Sequence, residues 1–343
     1  RLDAAGVDVA VYDGVAPEPK LSMVEDAADR VADRDLVVGV GGGSSMDTAK
    51  LAAALAEHGG PVRDMLGMDN VPGETGPLAL VPTTAGTGSE VTHIGVFADE
   101  REGGVKKVVV SPHLFADLAA VDPDLTKTMP PGVAAATGLD ALTHAIESYV
   151  SLLRTPYTDT LARRAVELVA ENLRPAVTQG PENDAARANM SLAATLAGQA
   201  FVNSGLGAVH ALTYPLGMAC GLGHGLANGV LLPHVMRYNV PAEVDRFADV
   251  ADLLGEERRP GESDRAFADR SVEAVFDLLE DVDVPTSIAA YGDFDRETFA
   301  DFADIAFEHS EHNIDRNPRE MDREDVIAVF EAAVEGRESA RGR

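Results

Sequence analysis

The segment Thr137-Gly138-Leu139-Asp140-Ala141-Leu142-Thr143-His144-Ala145-Ile146-Glu147 sets a carboxylate and an imidazole four residues apart. It follows Pro130-Pro131, and its apolar residues recur at helical spacing. Residues one helical turn apart share a face, so Asp140 and His144 can converge on one ion. Alone, such a pair reads equally as a surface hydrogen bond, with Glu147 as another polar partner. Two more histidines change that weighting. His210 lies in Gly207-Ala208-Val209-His210-Ala211-Leu212-Thr213-Tyr214-Pro215 and His224 in His224-Gly225-Leu226-Ala227-Asn228. Both fall within residues 188–236, which contain no Asp, Glu, Lys or Arg. An imidazole buried there needs a partner from elsewhere in the chain, or a metal; two satisfied core histidines are the plain alternative. One carboxylate and three imidazoles form an N3O donor set suited to Fe(II) or Zn(II), where a divalent ion acts as a Lewis acid on an oxygen ligand. Four protein ligands exceed the usual three of a catalytic zinc site, which favours Fe(II).

Two glycine-rich loops carry a second chemistry. Gly41-Gly42-Gly43-Ser44-Ser45-Met46-Asp47 stands between a predicted strand and a predicted helix. Glycines there let a phosphate approach the backbone, and the first amides and positive dipole end of the helix stabilise it. The spacing is not G-x-G-x-x-G, and a tight turn capped by Ser44, with Asp47 closing a capping box, is the other reading. Pro82-Thr83-Thr84-Ala85-Gly86-Thr87-Gly88-Ser89-Glu90 also follows a strand. Its hydroxyls, on Thr83, Thr84, Thr87 and Ser89, suit hydrogen bonds to ribose or phosphate at the carboxyl ends of strands. By itself this segment reads equally as a polar surface loop.

The elements that must position these residues form two groups. Val7–Tyr12 reads as a strand closed by Asp13-Gly14, Ser22–Ala32 as an amphipathic helix, Leu36–Val40 as a buried parallel strand and Ser44–Glu57 as a helix. Leu78–Val81, Val108–Val110 and Ala119–Val121 read as further strands. Alternating strands and helices imply a parallel sheet with helices on its faces. From Pro130 to Arg337 the pattern is long Ala/Leu-periodic segments, which predicts a helical domain. The fold class is α/β plus all-α, divided into residues 1–125 and 126–343, and 343 residues suffice for two domains.

Charge narrows the partners. Asp and Glu number 57 against 28 Lys and Arg, a net of −29 that excludes nucleic acid and anionic membrane surfaces as partners of the bulk surface. The net is −12 over residues 1–124, zero over 125–240 and −17 over 241–343. The uncharged stretch does not read as a membrane span. Gln199, Asn203, His210, His224 and Asn228, with Gly and Pro among them, interrupt every window of ~20 apolar residues, so it reads as buried core. Only five bases are Lys, and the acid excess resembles a salt-adapted surface. Cys220 is the single cysteine, read as a small buried apolar residue; it can form no intramolecular disulfide and fits a reducing, cytoplasmic setting. No signal peptide or targeting tail is read, and the sequence opens on Arg1 rather than Met.

Together, Tyr12-Asp13-Gly14-Val15, GGGSSMD, PTTAGTGSEVT, GLDALTHAIE, HGLANGVLLPHVMRYN and Asn317-Pro318-Arg319 resemble the iron-dependent (group III) alcohol dehydrogenase family across nearly the whole chain. The earlier motifs recur in relatives such as glycerol dehydrogenases, whereas the pairs Asp140/His144 and His210/His224 are more specific. The resemblance implies an N-terminal Rossmann-like dinucleotide domain and a C-terminal helical metal and substrate domain around a cleft, the dehydroquinate synthase-like superfold. It implies that Asp140, His144, His210 and His224 are metal ligands, and that Gly42, Gly43, Ser44 and Asp47 form a pyrophosphate loop. Thr83, Thr84, Thr87 and Ser89 would form the second cofactor loop, with Lys106 near the cofactor. The implied activity is reversible hydride transfer between NAD or NADP and a small neutral alcohol, aldehyde or ketone, in a homodimer.

Two departures stand out. Many members carry a histidine four after the third ligand, where this chain has Tyr214. A phenol can relay a proton, but its ordinary pKa near 10 makes it a poorer base than imidazole near neutrality. Members also usually begin earlier, with a strand and helix not seen in this sequence. The acidic residue that helps choose between NAD and NADP ends that strand, so the preference is not legible. A dehydroquinate synthase-like lyase shares the scaffold, metal and NAD, but needs cleft Lys or Arg for a phosphorylated substrate, and residues 188–236 have none. A non-catalytic dinucleotide-binding protein is the remaining reading.

Overall fold

The computed structural model describes residues 3–102 and 105–340. The chain divides into two compact units: residues up to Thr84 with Gly88–Thr126, and Ala85–Thr87 with Lys127 onward.

In the first unit, helices α1 (Leu21–Val31) and α2 (Gly43–His58) accompany strands β1 (Val37–Gly41), β2 (Gly67–Met68), β3 (Leu78–Pro82), β4 (Ile94–Asp99), β5 (Val105–Val110) and β6 (Leu118–Ala119). They form two three-stranded sheets, not one. The first has the order β1-β3-β6 and is parallel, with Gly39 opposite Leu80. The second has the order β2-β5-β4, with β5 parallel to β2 and antiparallel to β4. The expected parallel sheet is therefore only half of the strand content. Strand β4 escaped the sequence reading because Gly95 breaks its apolar run and the loop hydroxyls precede it closely.

Helix α2 packs tightly on β1. A Cβ on Gly39 would lie 2.7 Å from the Ala49 Cβ, so only glycine allows that approach. Leu21, Val24, Leu51, Leu55, Phe97, Val109 and Leu114 join α1, α2 and the second sheet in one apolar cluster. Strand β1 is less buried than its sequence implied, since Val38 and Val40 are exposed. The predicted strand at Val7–Tyr12 does not form. A strand requires a ladder partner; none pairs with this segment among the described residues, and Val7, Val9 and Val11 are exposed.

The second unit is helical: α3 (Pro131–Val150), α4 (Pro156–Thr178), α5 (Asp184–Ser204), α6 (Ala208–Cys220), α7 (His224–Asn239), α8 (Val244–Leu253), α9 (Asp264–Asp281), α10 (Arg296–Ile314) and α11 (Arg323–Glu335). Local signals set its ends. Pro131 occupies the first turn of α3, where its missing N–H leaves no bond unmade. Thr155 with Thr158 and Asp322 with Asp325 close capping boxes on α4 and α11. Gly205, at φ +72°, ends α5. The uncharged stretch supplies most of α5, α6 and α7, whose residues belong to one extensive core with α3, α4 and α8 to α11. No single described helix is long and apolar enough to cross a membrane, and α5 and α6, apolar as a pair, meet at 108°. Cys220 is half-buried against this core rather than enclosed in it, and burial pushes its thiol pKa up.

Candidate metal centre and cofactor loops

Three helices of the second unit bring the predicted donors together. Helix α3 carries Asp140, His144 and Glu147 on one face, α6 carries His210 near its start, and His224 is the first residue of α7. Small residues let α7 lie against α3. A Cβ on Gly225 would stand 2.4 Å from the Ala136 carbonyl oxygen, and one on Gly229 would stand 2.8 Å from Leu139 Cδ1. Asp140, His144, His210 and His224 each offer one ligand atom, and all four atoms lie within 4.8 Å of one another. Nε2 of His144 and of His224 lie 3.7 and 3.8 Å from Asp140 Oδ1. The rings of His144 and His210 stack at 4.9 Å.

Burial is uneven across this cluster. Asp140, His144 and His210 are buried, but the His224 side chain is 48% exposed, so the expectation of two buried histidines in the uncharged stretch holds for His210 alone. A helix's first residue has no preceding turn to cover it, which explains the difference. Burial by itself would raise the Asp140 pKa, but the three imidazoles and the Asn228 amide hold it below the ordinary carboxylate value. Burial pushes His144 down to about 4 although Asp140 pulls the other way.

The sequence offered Glu147 only as an alternative partner for the Asp140/His144 pair; the structure gives it a different one. Its Oε2 accepts from His210 Nδ1 at 2.6 Å, and its Oε1 accepts from the Val209 amide at 2.6 Å. One carboxylate thus caps α6, whose preceding Gly207 has no side chain to do so, and leaves Nε2 of His210 as a lone pair facing the cluster. Asn228 is the residue sequence reasoning passed over. Its amide nitrogen lies 2.7 Å from Asp140 Oδ1, 3.1 Å from His210 Nε2 and 3.2 Å from His224 Nε2. Its spacing of four from His224 was the available signal. Three acceptors on an NH2 with two hydrogens leave the cluster rich in lone pairs and short of protons, which is the environment a cation fits. Tyr214 is half-buried, its ring edge-on to His309 at 5.7 Å.

The two glycine-rich loops meet in the first unit. Gly42 caps α2 with no side-chain bond, so the alternative of a cap by Ser44 does not form, and no side chain of a cap competes for the first amides of the helix. Gly41, at φ +152°, accepts from the Thr83 amide at 2.9 Å through its carbonyl. A Cβ on Gly42 would sit 3.3 Å from the Thr84 side chain. Gly43 and Ser44 open α2, and Thr87 falls in the tripeptide grouped with the second unit.

Asp47 and Ser89 point inward. Ser89 Oγ donates to Asp47 Oδ1 at 2.6 Å, and the Val96 amide donates to Asp47 Oδ2 at 3.1 Å. Beneath them the fully buried Lys50 ammonium donates to Ser89 Oγ at 2.8 Å, the Ile94 carbonyl at 2.9 Å and Thr92 Oγ1 at 3.3 Å, with Asp47 Oδ1 at 3.5 Å. Burial pulls the Lys50 pKa down, against Asp47 and Glu90. Lys106 lies on β5 opposite Ala98, its amine 2.8 Å from Glu18 Oε1.

Residues 1–123 match the family model for iron-containing alcohol dehydrogenase, and residues 134–334 match that for the C-terminal part of the Fe-containing alcohol dehydrogenase family. The chain belongs to the iron-containing alcohol dehydrogenase family. It is 42% identical to long-chain-alcohol dehydrogenase 1 of Geobacillus thermodenitrificans over 98% of this chain and 84% of that one. Among solved structures of the family, a 1,3-propanediol oxidoreductase superposes with a TM-score of 0.91 at 39% identity, over 97% of this chain and 86% of that one. The sulfoacetaldehyde reductase of Bifidobacterium kashiwanohense in complex with NAD+ superposes with a TM-score of 0.86 at 31% identity, over the same shares. Membership makes this protein a metal-dependent oxidoreductase that interconverts alcohols and carbonyl compounds.

Proposed function

We propose that Asp140, His144, His210 and His224 together hold one divalent iron ion, with Zn(II) as the alternative. The observation that carries this reading is the convergence of four donor atoms within 4.8 Å on three separate helices. When bound, the ion supplies Lewis acidity toward a substrate oxygen and the nicotinamide of NAD or NADP exchanges the hydride. The protein's own residues do the rest. Asp140 brings the one negative charge, Glu147 fixes the His210 tautomer, and the exposed His224 flank leaves the cluster open to a small molecule. Gly42, Gly43 and Ser44 offer uncapped helix amides to a pyrophosphate, and Thr83, Thr84 and Thr87 offer hydroxyls to the same cofactor. Asp47, Ser89 and Lys50 hold the two loops in register from below.

The substrate is a small neutral alcohol or carbonyl compound, a reading supported by the uncharged segment that supplies α6 and the start of α7. The first unit serves the dinucleotide and the second the metal and substrate. Tyr214 is the proton relay in this reading, one turn after His210. A single cysteine suits a reducing cytoplasmic setting, the acid excess suits a salt-adapted surface, and the family likeness implies a homodimer. The test is elemental analysis of protein purified without air, together with nicotinamide absorbance on a panel of small alcohols and aldehydes with each cofactor. About one equivalent of iron and turnover abolished by chelator support the reading; chelator-insensitive turnover overturns it.

A further inference from the structure

Asn228 is fully buried, and its amide has a fixed sense. Thr213 Oγ1 donates to Asn228 Oδ1 at 2.6 Å, while Nδ2 faces Asp140 Oδ1, His210 Nε2 and His224 Nε2 at 2.7, 3.1 and 3.2 Å. Turned over, the amide oxygen would confront a carboxylate oxygen and two imidazole nitrogens at the same distances, an arrangement of acceptors only. Thr213 therefore locks the orientation that the donor atoms require. We propose that Asn228, oriented by Thr213, is a positioning residue that holds Asp140 Oδ1, which keeps a second lone pair for the ion, toward the cluster and so sets the affinity of the centre for its divalent ion. This rests on the metal reading above. Without that NH2, the buried Asp140 carboxylate loses the bond that fixes its Oδ1, and its side chain is free to turn away from the cluster. Neither residue is a ligand; both act through Asp140.

The experiment uses full-length protein stripped with chelator and titrated with cobalt(II), read by chelator competition and by the visible absorption bands of the bound ion. Asn228→Ala weakens cobalt binding by about 10- to 100-fold, the range expected when an outer hydrogen-bond partner of a metal site is lost. Thr213→Val, nearly isosteric, weakens it in the same direction and serves if Asn228→Ala fails to fold. Asn228→Asp places a carboxylate among the donors, so it binds cobalt more tightly than Asn228→Ala and shifts the bands. Wild-type affinity in both Asn228→Ala and Thr213→Val overturns the proposal, as does an Asn228→Asp variant no tighter than Asn228→Ala. A wild-type chain that takes up no cobalt overturns the metal reading itself, a result distinct from either.

Discussion

Glu147 stands two turns beyond Asp140 on α3, and its carboxylate spans the gap to α6, accepting from His210 Nδ1 and the Val209 amide at 2.6 Å each. A proposed metal ligand and a helix N-terminus thus depend on one side chain. Glu147→Ala should weaken metal binding by about 10- to 100-fold and destabilise the fold by about 1 kcal/mol through the lost cap. Chelator competition and urea denaturation of the metal-free protein measure the two effects separately. Unchanged metal affinity would remove Glu147 from any part in orienting His210.

His224→Ala should abolish stoichiometric iron and lower kcat by about a hundredfold or more, while leaving the melting temperature of the metal-free protein nearly unchanged, because that side chain is half exposed. Asp140→Ala should lose metal likewise but also melt lower, since Asp140 is buried and bonded to Asn228. Normal iron content and activity in either variant would refute the ligand assignment.

Gly225→Ala tests the helix contact beneath the site. The added methyl meets the Ala136 carbonyl oxygen at 2.4 Å and Asp140 Cβ at 3.0 Å, so α7 must retreat from α3. Overpacking of this kind costs about 1–3 kcal/mol, and the displacement carries His224 with it. Both a lower denaturation midpoint and weaker metal binding are expected; a variant with neither would show that α7 does not depend on this close approach.

Lys50→Met removes the cation on which the two glycine-rich loops rest and leaves Asp47 without its charge partner. Loss of one member of a buried pair destabilises by about 3 kcal/mol or more. The same change should weaken NADH binding, followed by its fluorescence, while metal content stays at the wild-type level. If NADH affinity is retained at full occupancy, the loops do not need Lys50 to keep their register.

His234 gives a pH dependence away from the proposed metal site. It is buried beside Phe276, its pKa pushed down to about 4 by burial from an ordinary value of 6.5. The unfolded chain therefore binds a proton between those values that the folded chain does not. Stability on this account is full above pH 6.5 and falls as pH drops toward 4, by at most about 3 kcal/mol. Urea midpoints of wild type and His234→Leu should converge or cross as the pH is lowered through that window; parallel pH profiles would exclude His234 as the cause.

Much of this was legible in the sequence because it is local. Helical spacing placed Asp140 and His144 together, and the missing charge over residues 188–236 marked His210 and His224 as buried, which holds for His210 alone. What the sequence hid was relational. Glu147 faces α6 only because Gly207 leaves room at that helix start, and Asn228 meets Asp140 only because Gly225 and Gly229 admit α7 to α3. Lys50 carries no local sign of burial; Ser89, Thr92 and the Ile94 carbonyl surround it only in the fold. Val7–Tyr12 failed for the converse reason: its pattern suits a strand, but strand formation needs a neighbour that local pattern does not specify.

The tripeptide Ala85–Thr87 has its own consequence for dissection of the molecule. Ala85 is part of the helical core, and a Cβ on Gly86 would strike Thr137, yet the residues on either side of the tripeptide group with the sheets. A fragment beginning at Lys127 would lack these two residues and expose the patch of α3 they cover. Separate expression of the halves should therefore give a helical fragment prone to self-association, rescued by fusing the tripeptide back through a linker.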